Sequence, residues 1–563
     1  MLVPKLFTTL KGYSKDQFIK DLTAGVIVGI VALPLAIAFG IASGVSPEKG
    51  IFTAVAAGFI ISAFGGSRVQ IGGPTGAFII IVFGIVQKYG LEGLAIATIM
   101  SGIILILMGT LKLGSLIKFI PLPIITGFTS GIALIIFITQ LKDLFGIATP
   151  VPAEFLEKIP FYFQNLSSFN TQTLLVSAFT LLIILAFPKI SSKITKKFSI
   201  KIPAPFAALL AGTLLVYFAG LQVDTIGSRF GSIPSGLPAP HFPDITYQKI
   251  YGLIGPAFTI ALLSAIESLL SAVVADGMIG GRHRSNMELV ANGAANIIAP
   301  IFGGIPATGA IARTVTNIKN GGRTPVAGIV HSLTLFLILL FFGKYAEMIP
   351  MSVLAVILVV VAYNMSEWRE FKAQLKMPKS DVIVLLTTFF LTIIFDLTIA
   401  IEVGIVLSAL LFMNRMVQVT NVGILKKELD DEPGADNGLG DFGEKNLDIP
   451  EGVIIYEVNG PFFFGAASKF KEASRIVNDD IKVMILRLRN VPAIDATGLS
   501  TIEDFYDDCK KTNSTLILSG IHAQPLFAAE KLGLIDKIGR NNICGDIDDA
   551  LERAKVVMGI DLL

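Results

Sequence analysis

Two ionisable residues stand where charge is expensive. The run AFTIALLSAIESLLSAVV within residues 254–275 has Glu267 as its single charge, and residues 306–318 carry only Arg313. A carboxylate or guanidinium inside an apolar span marks a binding or proton-handling position rather than a lipid-facing one. Beside Arg313 a second chemistry is written in small residues. GGPTGA at 72–77 and GGIPATGA at 303–310 repeat nearly letter for letter. Glycine and proline break helices, and a helix restarted after a break presents unpaired N–H groups with about half a positive charge. Thr75, Gly76 and Ala77 on one side, and Thr308, Gly309 and Ala310 on the other, are expected to offer such groups to an anion. Each proline is expected to open its short helix, where its missing N–H costs nothing. Arg313 is long enough to return its guanidinium toward the gap. The plainer alternatives are packing glycines and a Glu267–Arg313 pair that only neutralises itself. His331 is read as a hydrogen-bonded helix residue, not a ligand.

The elements that must position these residues are membrane spans. The chain has 563 residues, 53% hydrophobic and 16% charged, with mean hydropathy +0.72, whereas soluble domains are about 25% charged. Many windows reach the roughly 20 apolar residues that cross a bilayer, and no ten-residue alternation suggests a β-barrel. Spans are placed at 22–43, 50–65, 73–88, 92–111, 119–140, 170–188, 203–220, 254–275, 287–302, 306–318, 325–343, 350–365, 380–396 and 399–418, fourteen in all. Basic residues gather in every second loop, Lys189, Lys193, Lys196, Lys197 and Lys201 most densely, which places both termini in the cytoplasm. The two repeated motifs open spans three and ten. These positions are seven spans apart, an odd number, so the two helices run in opposite directions, the pattern of a seven-plus-seven inverted repeat.

Beyond residue 420 the composition changes. Residues 1–420 form the transmembrane domain, 421–449 an acidic flexible linker, and 450–563 a cytoplasmic domain. GVIIYEV and IKVMILRL read as strands, with helices expected at 465–477, 498–510, 524–533 and 547–557. Such alternation implies an α/β fold with a mainly parallel sheet. Cys509 and Cys544 read as reduced cytosolic thiols. The mixed-charge N-terminus reads as no signal peptide. No P-loop, nucleophile triad or metal spacing is present in the sequence, so no enzymatic activity, cofactor or metal is expected. A net charge of +2 points to no nucleic-acid partner.

These residues also carry a resemblance. DLTAGVIVGIVALPLAIAFGIASGVSPEKGIFTA (21–54), GGPTGAF, ESLLSAVVADGMIGGRHRSNMELVANGAANIIAPIFGG (267–304) and ARTVTNI resemble the SulP family of sulfate permeases and related solute-carrier anion transporters. AIDATGLSTIEDF (494–506) resembles the STAS domain. The resemblance implies a core domain (spans 1–4 and 8–11), a gate domain (spans 5–7 and 12–14), elevator-type alternating access and a homodimer in a bacterial inner membrane. Matched residue by residue, its substrate site falls on Leu35, Phe39, Thr75, Gly76, Ala77, Ala310, Ile311, Ala312 and Arg313, with Glu267 at the proton-coupling acid. Many members have glutamine where this chain has Leu35. Sodium-dependent bicarbonate members carry an aspartate in the Glu267 region and lack an Arg313 equivalent, which weighs against that reading here. PLAIAFGIASGV and YNMSEW look closer to the bacterial branch that includes a proton-coupled C4-dicarboxylate carrier.

The implied function is proton-coupled transport of sulfate or a C4-dicarboxylate, with H⁺ as the coupling ion and Na⁺ as the alternative. Sodium-dependent bicarbonate transport, an uncoupled anion channel or uniporter, and a membrane-anchored regulator are the rivals. Thr497 matches the phosphorylated serine of related STAS proteins and is a candidate regulatory phosphosite; its plainer role is an N-cap. A regulatory protein is a further candidate partner at that domain.

Overall fold

The computed structural model describes the chain except residues 1, 116–120, 150, 153–154, 166–167, 199–202, 235, 237, 396, 426–448, 475–480 and 561–563. Two compact units divide it, Met1–Ser408 and Ala409–Leu563. Most of the expected linker, and the side chains of Lys193, Lys196, Lys197 and Lys201, lie outside the described residues.

In the first unit the long helices are α1 (Lys15–Ala42), α2 (Pro47–Phe64), α3 (Ile79–Thr110), α4 (Leu122–Phe145), α5 (Thr171–Phe198), α6 (Ala204–Ala219), α7 (Tyr247–Ile279), α8 (Ser285–Ile301), α9 (Ile311–Lys319), α10 (Pro325–Ala346), α11 (Met351–Met365) and α12 (Lys379–Ile394). Helix α13 (Leu397–Val419) contains the division between the units. Two short strands, β1 (Gly72–Gly73) and β2 (Thr308–Gly309), lie among them.

Among the described residues nine helical stretches are long and apolar enough to cross a bilayer, and Ala204–Ala219 is a shorter apolar one. That is fewer than the fourteen spans expected, for local reasons. Spans three and four merge into α3, which is interrupted only at Gly90, with φ 71°. Spans nine, ten and thirteen become α8, α9 and α12, of 17, 9 and 16 residues. At 1.5 Å per residue α9 advances only about 13 Å, less than half a bilayer.

Close backbone approach holds the bundle together, because lipid gives apolar side chains no reason to leave it. A Cβ at Gly102 would lie 2.5 Å from the Gly293 carbonyl oxygen, and one at Gly293 equally close to that of Gly102. Facing glycines let α3 and α8 cross this tightly, and Gly109, whose Cβ would lie 2.6 Å from the Asn286 carbonyl oxygen, extends the contact. Buried carboxylates fasten the ends. Asp21 is fully buried and accepts hydrogen bonds from Tyr13, Gln17, the Arg323 amide and Thr324, tying α1 to the entry of α10.

The second unit is a five-stranded sheet in the order β3-β4-β5-β6-β7, made of Asn421–Leu425, Val453–Asn459, Val483–Asn490, Thr515–Ser519 and Ile543–Cys544. Strands β4 to β7 pair in parallel, and β3 adds an antiparallel edge. That edge comes from residues expected to be linker, a finding the polar stretch after it concealed. Helices α14 (Phe464–Ser474), α15 (Ala496–Lys511) and α16 (Ile547–Met558) flank the sheet. Successive residues face opposite layers: Tyr456 packs with Phe470 and Phe505, and Ile455 packs with Ile485, Ile517 and Leu551. Burial on both faces explains the unbroken apolar runs of β4 and β5.

Candidate functional site

The two repeated motifs meet. Strands β1 and β2 pair antiparallel, Gly72 opposite Gly309 and Gly73 opposite Thr308, and the Ala310 amide donates to the Ile71 carbonyl at 2.8 Å. Backbone that leaves a helix in apolar surroundings must find partners, and each motif supplies them to the other. Two-residue strands have no readable period, so this pairing was not legible in the sequence. It also corrects the expected role of the prolines. Pro74 precedes a single 3₁₀ turn, Gly76–Phe78, before α3, and Pro306 lies five residues before α9, so neither opens its helix. Ala310 is the N-cap of α9 and its amide is used. The donors free of an intrahelical acceptor are therefore those of Ile311, Ala312 and Arg313, three residues further along than the set expected.

Ordinary polar side chains fix both loops. The Asn296 amide brackets Ala307, accepting from its N–H at 2.8 Å and donating to its carbonyl at 3.0 Å. Ser264 also donates to the Ala307 carbonyl, Thr308 Oγ1 donates to the Ser264 carbonyl, and Thr53 Oγ1 accepts from the Ile305 amide. On the other motif, Thr314 Oγ1 accepts from the Ile71 amide and Asn317 donates to the Val69 carbonyl. Sequence reasoning missed all of these, since lone Asn, Ser and Thr are common in helices. It also missed Glu288, a fully buried carboxylate that accepts from the Gly66 and Ser67 amides at 2.7 and 2.9 Å and fixes that turn.

The two ionisable groups converge on consecutive residues. Thr75 Oγ1 donates to Glu267 Oε2 at 2.7 Å, and Arg313 Nη2 donates to the Pro74 carbonyl at 3.1 Å. Among the described residues they make no ion pair with each other, so the reading of a merely self-neutralising couple does not hold. Arg313 is 2% exposed, and its Nη1 has no protein partner among the described residues. The guanidinium rests on Gly73, where φ is 150° and a Cβ would lie 2.3 Å from Nη1. Phe39 of α1 and Met365 of α11 border Gly76, at 3.5 and 2.8 Å from where its Cβ would be. Leu35, one turn before Phe39, is half-buried, as are Thr75 and Glu267. Ala77 and Ala310 are buried, whereas Ile311 and Ala312 are exposed. Thus Phe39, Thr75, Gly76, Glu267 and Arg313 come together, with Ala310 to Ala312 at the adjoining helix start.

Thr497 lies in the second unit. Asp495, not Thr497, caps α15, accepting from the Gly498 amide at 2.8 Å. Thr497 is exposed in the first turn, so its N-cap reading is corrected. His331 also departs from expectation: it is fully buried, and neither ring nitrogen has a protein partner among the described residues.

Residues 18–388 match the sequence pattern of the Sulfate permease family. The chain belongs to the sulfate permease family. Residues 444–550 match the STAS domain. The putative sulfate transporter YvdB of Bacillus subtilis is 41% identical over 549 residues, 96% of this chain and 98% of that protein. The transmembrane domain of a cyanobacterial bicarbonate transporter, BicA, superposes with TM-score 0.61 at 31% identity, over 69% of this chain and 98% of that one. The murine Solute Carrier 26 member A9 anion transporter, in its inward-facing state, superposes with TM-score 0.87 over 99% and 94% of the two chains. At 19% identity that likeness is one of fold. The fold class expected from sequence, a polytopic helical transporter followed by a STAS domain, is therefore established, and with it membership among membrane anion transporters.

Proposed function

We propose that this chain is a secondary active importer of a small oxyanion or carboxylate, sulfate or a C4-dicarboxylate, coupled to protons. The observation that carries the reading is the convergence of Glu267 and Arg313 on Thr75 and Pro74, beside the start of α9. The guanidinium and the N–H groups of Ile311 and Ala312 attract an anion. A charged Glu267 repels it across the same loop. A proton on Glu267 removes that repulsion, so anion and proton favour each other's binding, and this mutual preference is coupling. Leu35 and Phe39 wall the site apolarly, while Gly76, Ala77 and Ala310 keep it open to the backbone. In this reading spans 1–4 and 8–11 move as an elevator against spans 5–7 and 12–14. The protein works as a homodimer in a bacterial inner membrane with both termini cytoplasmic, and phosphate on Thr497 or a bound regulatory protein modulates it.

Bicarbonate is a second reading, favoured by the 31% identity to the BicA transmembrane domain. Uptake of labelled sulfate, succinate, fumarate and bicarbonate into proteoliposomes, with and without imposed proton and sodium gradients, tests both. An inward proton gradient is expected to accelerate uptake of sulfate or a dicarboxylate, and Glu267→Gln to abolish that acceleration. Uptake that ignores the proton gradient in the unaltered protein sinks the coupling and leaves a uniporter or channel; dependence on sodium with bicarbonate selects the second reading.

A further inference from the structure

His331 lies on α10, an element with no site residue assigned so far, and its surroundings lead to Arg313. A neutral imidazole carries one donor and one acceptor, and both are buried here without a protein partner among the described residues. Native interiors rarely leave such groups unmet, and ordered water is their usual partner. Arg313 Nη1 is a buried donor in the same condition.

The two groups flank one strand. A Cβ at Gly58 would lie 3.6 Å from His331 Cε1 and 3.1 Å from the Gly72 carbonyl oxygen. A Cβ at Gly73 would lie 2.3 Å from Arg313 Nη1 and 3.5 Å from Ala54 Cα. Gly72 and Gly73 are neighbours in β1, and Ala54 and Gly58 occupy successive turns of α2. Imidazole and guanidinium therefore lie against the same face of α2, each beside one of two consecutive residues of β1.

We propose that His331 is a positioning residue for Arg313, its unprotonated ring nitrogen accepting from Nη1 through buried water. A guanidinium fixed only at Nη2, on the Pro74 carbonyl, is free to pivot. Fixed at both nitrogens it is oriented before the anion arrives, and preorganisation appears as affinity. The anion-binding role rests on the proposed function; the bracing of β1 and Arg313 does not.

The test uses the full chain reconstituted in liposomes. His331→Phe fills the space without hydrogen bonding, and His331→Gln keeps a donor and an acceptor. Two quantities are read: KM and Vmax for the anion the unaltered protein carries, and deuterium exchange of the peptide spanning residues 71–76. His331→Phe is expected to raise KM and speed exchange about tenfold with Vmax within about twofold, and His331→Gln to stay within about threefold of the parent. Unchanged KM and exchange in His331→Phe overturn the proposal. So does equal damage by Gln and Phe, which marks a packing role. If the unaltered protein carries none of the four anions, the proposed function fails, and exchange alone decides the bracing. Should His331→Phe not insert, His331→Leu, smaller and equally unable to hydrogen-bond, is read by the same criteria.

Discussion

At Gly73 the backbone φ of 150° and the neighbouring guanidinium leave no room for a side chain. Gly73→Ala must displace Arg313 Nη1 or bend β1. Uptake is expected to fall at least about tenfold at matched protein level, since a charged hydrogen-bonding group is moved from its partner. Gly76→Ala clashes with the flexible thioether of Met365 and meets Phe39 at ordinary van der Waals distance, and its uptake should stay within about threefold of the parent because Met repacks readily. Initial uptake rates of the two variants check this contrast, and equal losses would contradict it. Glu267 and Arg313 were legible in the sequence because a charge inside an apolar run has few explanations. Asn296, Ser264 and Thr53 were not, because their work depends on which carbonyls and amides happen to lie beside them. Their partners Ala307 and Ile305 announce nothing.

The helices were legible as apolar runs; where they break was legible only in part. Proline and glycine marked both interruptions correctly, but the restart falls several residues later than proline chemistry suggests, since the chain first makes the β1–β2 crossing. Not every glycine interruption has equal weight. At Gly90 nothing lies within 4 Å of a Cβ position, so Gly90→Ala should cost only the backbone strain of φ 71° with ψ −173°, a region kept almost wholly to glycine and costing on the order of 1–3 kcal/mol. At Gly293 a side chain meets the Gly102 carbonyl oxygen at 2.5 Å. Gly293→Val must push α3 and α8 apart, which costs more than the roughly 1–3 kcal/mol of ordinary overpacking. Melting in detergent, followed by size-exclusion recovery, should rank Gly293→Val well below Gly90→Ala. The reverse order would refute the packing argument.

Across the molecule the two units obey different solvents. The first hides polar atoms from lipid; the second follows soluble α/β rules, which is why its parallel strands were readable while its edge strand β3, next to acidic residues, was not. Its stability should also depend on alkaline pH. Burial pushes the Cys509 thiol up to about 12 from an ordinary 9.0. Between those values the unfolded chain releases a proton that the folded unit retains, so stability falls as pH rises above about 9 and is unaffected below it. Thermal unfolding of the second unit at pH 8 and pH 10.5 should show the loss, and Cys509→Ala should flatten it. A loss of equal size in Cys509→Ala assigns it elsewhere. The β1–β2 crossing carries a further consequence for ancestry. Each motif hands its bare amides and carbonyls to the other, so a protein made from one half alone could complete the crossing only by meeting a copy inserted upside down. An ancestor carrying one motif alone, about half of the first unit, would therefore have had to enter the bilayer in both orientations to make this crossing.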